Sequence, residues 1–336
     1  MDNCDFPLSF IHKTQIIEAV FGQSSLDSED VYFSYYERTV KNVRLSTLTR
    51  SHGNIASLVR LVKGSTRDDV EIVLRKQLLE IDESDQVEGI IDDAINLAVK
   101  LLLMISTAGL LSAGRSIVSG ETRLAWKEGT LNEVLKLELG PETSLDEYVK
   151  FEKTFDARNL ERIAGIKTRW TSNFADHLKM RDDDKAVELF HYASFLRCHE
   201  NCSILPPPLI EETLRTLALL LPEHNRDVEA WFSAQQDKQS KEYKLPLDPL
   251  ARECGQLKIE ERQIRNFSYW HDRLVILKQA FDEAEPSSIK QWWRDRRKRV
   301  QWYTFWIAAV VLALTIFFGM VQSVEGAIQV YYAIHS

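Results

Sequence analysis

The hydrophobic pattern is sharpest from Ile90 to Ile105, where Ile90, Ile91, Ala94, Ile95, Leu97, Ala98, Leu101, Leu102, Met104 and Ile105 leave little room for a polar face. A helix apolar nearly all round belongs at the centre of a domain, and Gly109 is a plausible stop. Its length of 16 residues and the internal Asp92, Asp93, Asn96 and Lys100 distinguish it from a membrane span.

Other elements follow from start signals and spacing. Thr130-Leu-Asn-Glu133 is a capping box opening a short helix. Asp182-Asp183-Asp184 predicts a helix start running through Leu196, and Pro206-Pro207-Pro208 predicts another running through Leu221. Thr122 to Lys127 and Ile166 to Trp170 read as short strands, and the stretch before Glu88 reads as helical with a weaker pattern. Phe267, Trp270, Leu274, Leu277, Phe281 and Ala284 are spaced 3, 4, 3, 4 and 3 apart, a heptad seam. That seam suits an amphipathic helix packed on its own domain, with self-association as the alternative. Pro286 then permits a new helix.

The longest uncharged run is Tyr303 to Val321, 19 residues. At about 1.5 Å per residue it reaches roughly 28 Å, close to the ~30 Å hydrocarbon core of a bilayer. Trp292, Trp293, Trp302, Tyr303 and Trp306 crowd its leading side, as interfacial rings do. Arg294, Arg296, Arg297, Lys298 and Arg299 precede the span and suit anionic lipid. These ten residues are the expected membrane-interface set. Their charge predicts a cytosolic N-terminal domain and a far-side tail. The tail, 322–336, is interrupted by Glu325 and is too short and polar for a second span. A span this near the C-terminus predicts tail-anchored insertion, with the endoplasmic reticulum favoured.

Charge sharpens this division. The chain of 336 residues carries a formal −8. Six basic and two acidic residues from Ser287 onward give that part +4, leaving −12 for the rest. So acidic a domain repels phosphate backbones, and no nucleic-acid partner is expected. With 44% hydrophobic residues there is material for a packed core. Four cysteines, Cys4, Cys198, Cys202 and Cys254, fit a reducing compartment rather than a disulfide framework. The start, Met1-Asp2-Asn3-Cys4, reads neither as a signal peptide nor as a myristoylation site.

Candidate chemistry is thin. Gly109 to Ser116 imitates a phosphate-binding loop but has Arg115 where lysine is needed, and a helix rather than a strand before it. His191, Cys198, His199 and Cys202 cluster, yet with irregular spacing for zinc, and incidental thiols at a helix end explain them. Three adjacent acids, Asp182 to Asp184, point in different directions, which suits capping better than cation binding. Asp176-His177 could be an acid–base pair but lacks an evident nucleophile. No catalytic residue, cofactor site or metal ligand is therefore expected.

Several blocks carry a resemblance: DDAINLA at Asp92 to Ala98, ARNLERIAGIKTRWTSNFADHLKMRDDD at Ala157 to Asp184, LIEETLRTLALLLP at Leu209 to Pro222, WHDRLVILKQAFDEAEP at Trp270 to Pro286, and the QWWRDRRKRVQWYTFW ending from Gln291. From Ile90 onward the chain resembles uncharacterised filamentous-fungal single-pass membrane proteins, which implies a fungal membrane protein and no particular chemistry. A looser likeness is to CorA-type magnesium channels, whose first span ends in Gly-Met-Asn. Here Gly319-Met320 is followed by Val321, and a second span is missing.

The expected fold class is mostly α: a cytosolic helical domain, then a long helix leading into one C-terminal transmembrane helix. The expected segments are a variable helical region 1–88, a central domain 89–258, a juxtamembrane heptad helix 259–286, a basic and aromatic segment 287–302, the span 303–321 and the tail 322–336. The expected role is a membrane-anchored interaction or accessory protein, with the bilayer, other proteins and a possible homodimer as partners. The alternatives are a tethered enzyme serving a fungal biosynthetic gene cluster and a channel subunit.

Overall fold

The computed structural model describes residues 8–23, 29–41, 46–79, 87–107, 120–141, 149–200, 204–243, 246–284 and 299–335. These form a mostly helical protein with a few short strands. The first four helices are α1 (Phe10–Phe21), α2 (Glu29–Lys41), α3 (His52–Gly64) and α4 (Arg67–Leu79). Ser9 and Ser51 cap α1 and α3 by accepting the backbone N–H of His12 and Asn54. Gly22 ends α1 at φ 72°, a left-handed position that glycine occupies without steric cost.

The predicted central helix is α5 (Val87–Leu103), with Ile95, Ala98, Val99, Leu101, Leu102 and Leu103 wholly inaccessible to solvent. Its polar residues have specific partners. Asp92 forms an ion pair with Arg67 at the start of α4, and the same guanidinium binds Glu71 at 2.6 Å. The Thr107 hydroxyl donates to Asn96. At the C-terminal end, the Tyr35 hydroxyl donates to Lys100 O at 3.0 Å, beside the Met104 N–H, and Tyr32 donates to Leu101 O at 2.9 Å. Burial pushes both phenol pKa values upward and so keeps them as donors. The helix stops at Met104, which adopts φ 53° and offers its carbonyl to Phe174 N. Gly109 lies outside the described residues.

The strands are short. β1 (Ser106–Thr107) pairs in parallel with β2 (Arg123–Leu124), within the first predicted strand region. β3 (Lys167–Thr171) occupies the second; it pairs in parallel with β5 (Ala186–Phe190), which also pairs antiparallel with β4 (Met180–Arg181). The predicted capping box is present on α6 (Leu131–Glu138), and α7 (Ala157–Arg162) is capped by Asp156.

The helix expected after Asp182 is not there. Asp182, Asp183 and Asp184 all take left-handed conformations (φ 55°, 52° and 62°) and turn β4 back into β5. Aspartate serves both caps and left-handed turns, and pairing of Arg181 with Ala186 selects the turn. Helix α8 begins only at Ala193 and runs to His199. The proline-initiated helix is α9 (Pro207–Leu220), followed by α10 (Arg226–Tyr243).

Within the heptad stretch, α11 spans His271–Glu283. Phe267, Trp270, Leu274, Leu277 and Phe281 are all buried in the domain's own core. Phe281 meets Phe155 edge-on at 5.4 Å, Phe267 meets Phe151 at 5.8 Å and Trp270 meets Phe174 at 5.8 Å. The seam therefore packs on its own domain and is not free for a coiled coil. One apolar core runs from Ile16 to Phe281.

Candidate functional site

The C-terminal helix α12 (Arg299–His335) has 37 residues, about 55 Å at the usual rise. Its stretch Tyr303–Tyr331 contains an 18-residue window with a mean hydropathy of 2.3, and none of that window is buried. Among the described residues it is the one helix long and apolar enough to cross a membrane. Seventeen large hydrophobic side chains from Tyr303 to Ile334 are exposed. Covering one such side chain is worth about 1.5–3 kcal/mol, so leaving all of them in water would be very unfavourable. α5, similarly apolar, buries those residues in protein instead.

The apolar helix is longer than the run Tyr303 to Val321 suggests. Residues beyond Gln322 stay helical because Val324, Ala327, Ile328, Val330 and Tyr331 continue the pattern and no proline intervenes. Measured from Tyr303, Glu325 lies about 33 Å along the axis, at the far edge of a ~30 Å core rather than within it.

Of the expected interface residues, Trp292, Trp293, Arg294, Arg296, Arg297 and Lys298 lie outside the described residues. Arg299 opens α12, about one turn before Tyr303, and Trp302 lies on the same first turn. Tyr303 is exposed, and Trp306 is partly covered, with the Phe305 ring edge-on to it at 5.4 Å.

The candidate chemical residues are dispersed and structurally engaged. His177 is fully buried: its Nδ1 accepts Phe190 N–H at 3.2 Å, so Nε2 carries the proton donated to Thr216 Oγ1 at 2.7 Å. Burial, helped by the nearby Arg273 charge, pushes its pKa well below the usual histidine value. Asp176, also buried, accepts Thr122 N–H at 2.9 Å, the Thr122 hydroxyl at 2.6 Å and Asn173 Nδ2 at 2.6 Å. Neighbours in sequence, the two serve different partners.

His191 Nδ1 accepts Asp248 N–H at 3.1 Å, and burial lowers its pKa to about 3. His199 faces Leu102 O at the end of α5 and Phe195 O, each at 3.1 Å, with burial lowering its pKa to about 4. No group of three or more metal-binding side chains occurs among the described residues. Cys202 and the phosphate-loop imitation 109–116 lie outside them. The run Asp182 to Asp184 is exposed on its turn, whereas His177, His191 and His199 are buried.

Sequence patterns pass over the buried acids that tie elements together. Glu212 accepts three backbone N–H groups, from Ser268 at 2.6 Å and from Tyr269 and Trp270 at 2.8 Å. Asp248 accepts Ser194 N–H at 2.7 Å and its hydroxyl at 2.6 Å. Burial raises the pKa of both. Comparison with protein-family models, with curated proteins and with solved structures finds no match.

Proposed function

We propose that this chain is a single-pass membrane protein that holds a helical interaction domain at the cytosolic face of a membrane, through α12. The observation that carries this reading is the bare apolar surface of α12, 29 residues from Tyr303 to Tyr331, in contrast to the packed apolar core of the domain before it. Orientation rests on the basic residues from Arg294 to Arg299 preceding the span. Asp176, His177, His191 and His199 each hold hydrogen bonds inside the domain. The fungal family resemblance is compatible with the same arrangement.

The test is affinity capture of the full-length tagged chain from detergent-solubilised membranes, with identification of co-purifying proteins and small molecules. A reproducible protein partner at defined stoichiometry is expected. A small ligand recovered without protein partners would replace this reading with the tethered enzyme.

A further inference from the structure

A cleft of about 340 Å³ opens where the end of α9 meets the start of α10. That volume lies within the range of small-molecule sites, roughly 300–1,000 Å³. Its wall is apolar along Phe155, Leu219 and Leu257, and Arg262, Lys153 and Arg226 line it as well.

Arg262 is the unusual member. Its residue is only 8% exposed, and its Nε is buried without a hydrogen-bond partner. No acid among the described residues pairs with it, whereas Arg67, buried to a similar degree, has two. The acids that share the cleft are committed elsewhere: Glu152 to Lys278 at 3.2 Å and Asp227 to Arg158 at 2.9 Å. A guanidinium removed from water is costly unless an anion or a set of acceptors meets it. Its planar fork matches a carboxylate or phosphate in two-point contact.

We infer that this cleft binds a small organic anion, with a carboxylate or phosphate group held by Arg262 and an apolar body lying against Phe155, Leu219 and Leu257. Lys153 and Arg226, both exposed at the rim, add attraction without being needed for folding. The inference is independent of the proposed tethering role and would survive its failure.

The experiment uses the full-length chain in a non-ionic detergent, titrated separately with phenyl phosphate, benzoate, dihexanoyl phosphatidate and neutral benzyl alcohol, and read by calorimetry. Phenyl phosphate or benzoate should bind saturably, benzyl alcohol should not, and added salt should weaken binding. R262Q should weaken it roughly tenfold or more, the scale of a lost charged hydrogen bond. K153Q, at an exposed position, should weaken binding several-fold with unchanged thermal stability, so the conclusion holds even if R262Q folds poorly. Absent binding, or equal binding in both variants, overturns the assignment. Tighter binding of the phosphatidate than of either small anion also overturns it and gives the cleft to a lipid headgroup.

Discussion

The carboxylate of Glu212, on α9, accepts the backbone N–H of Trp270 at 2.8 Å, while the Trp270 indole N–H donates to Thr213 Oγ1 at 2.8 Å. Two consecutive residues of one helix thus grip the start of another. Glu212 also takes the N–H groups of Ser268 and Tyr269, so three donors at the beginning of α11 converge on one buried acid. The negative charge suits the positive end of a helix dipole.

Removing that acceptor leaves three amides short of a partner, that of Trp270 in the interior and those of Ser268 and Tyr269 partly buried. Glu212→Ala should cost about 2–4 kcal/mol, since each buried unsatisfied donor costs about 1–3 kcal/mol and some will find water. Denaturant unfolding of the full-length chain measures it. A loss below about 1 kcal/mol would show that the contact at α11 is incidental.

Asp156 caps α7 from a buried position, accepting Asn159 N–H at 2.8 Å, and burial raises its pKa from 3.8 to about 6. A raised carboxyl pKa means that the folded state prefers the protonated form. Its contribution is therefore fully present below 3.8 and lost as pH rises through about 6. Asp156→Asn keeps a capping oxygen without the charge. Relative to the native chain, this variant should gain up to about 3 kcal/mol between pH 4 and pH 7. Parallel stability curves across that window would contradict the assignment.

The turn at Asp182 to Asp184 holds three successive non-glycine residues at positive φ. Left-handed backbone costs an ordinary residue about 1–2 kcal/mol. Asp183→Gly should therefore raise stability by about 0.5–1 kcal/mol, net of the flexibility glycine adds to the unfolded chain. Asp183→Val, branched at Cβ, should lower it by about 1–2 kcal/mol. Thermal melts of the pair decide this, and a more stable valine variant would refute the strained turn.

Much of this architecture was legible in the sequence. The apolar run at Ile90, the Thr130 capping box and the prolines before Leu209 are local signals that agree with their surroundings. Where local signals serve two structures, the reading failed. Aspartates at Asp182 to Asp184 fit both a helix cap and a left-handed turn, and only pairing of β4 with β5 distinguishes them. The seam from Phe267 to Phe281 is visible as an apolar stripe, but its period does not say whether a second chain or the parent domain covers it. The cleft around Arg262 left no trace at all. Lys153, Leu219, Arg226 and Arg262 are scattered along the chain, and Glu260-Glu261-Arg262 reads as ordinary solvated surface.

Orientation gives a separate prediction. Asn266-Phe-Ser268 and Asn201-Cys-Ser203 are glycosylation sequons, and Asn266 is partly exposed, with its Nδ2 donating to Glu260 O at 2.8 Å. With the domain on the cytosolic side, neither should carry sugar when expressed in a eukaryotic cell. A mass shift reversed by endoglycosidase would place the domain on the lumenal side.

Membrane insertion of α12 is the central claim, and alkaline extraction followed by flotation measures it most directly. The native chain should resist carbonate and float with lipid. Val311→Arg combined with Leu314→Arg places two charges mid-span, each costing about 2.5–3.5 kcal/mol on insertion scales. This variant should be released to the soluble fraction with its domain still folded. A native chain extracted by carbonate, or a double variant that floats as well as the native one, would contradict the account.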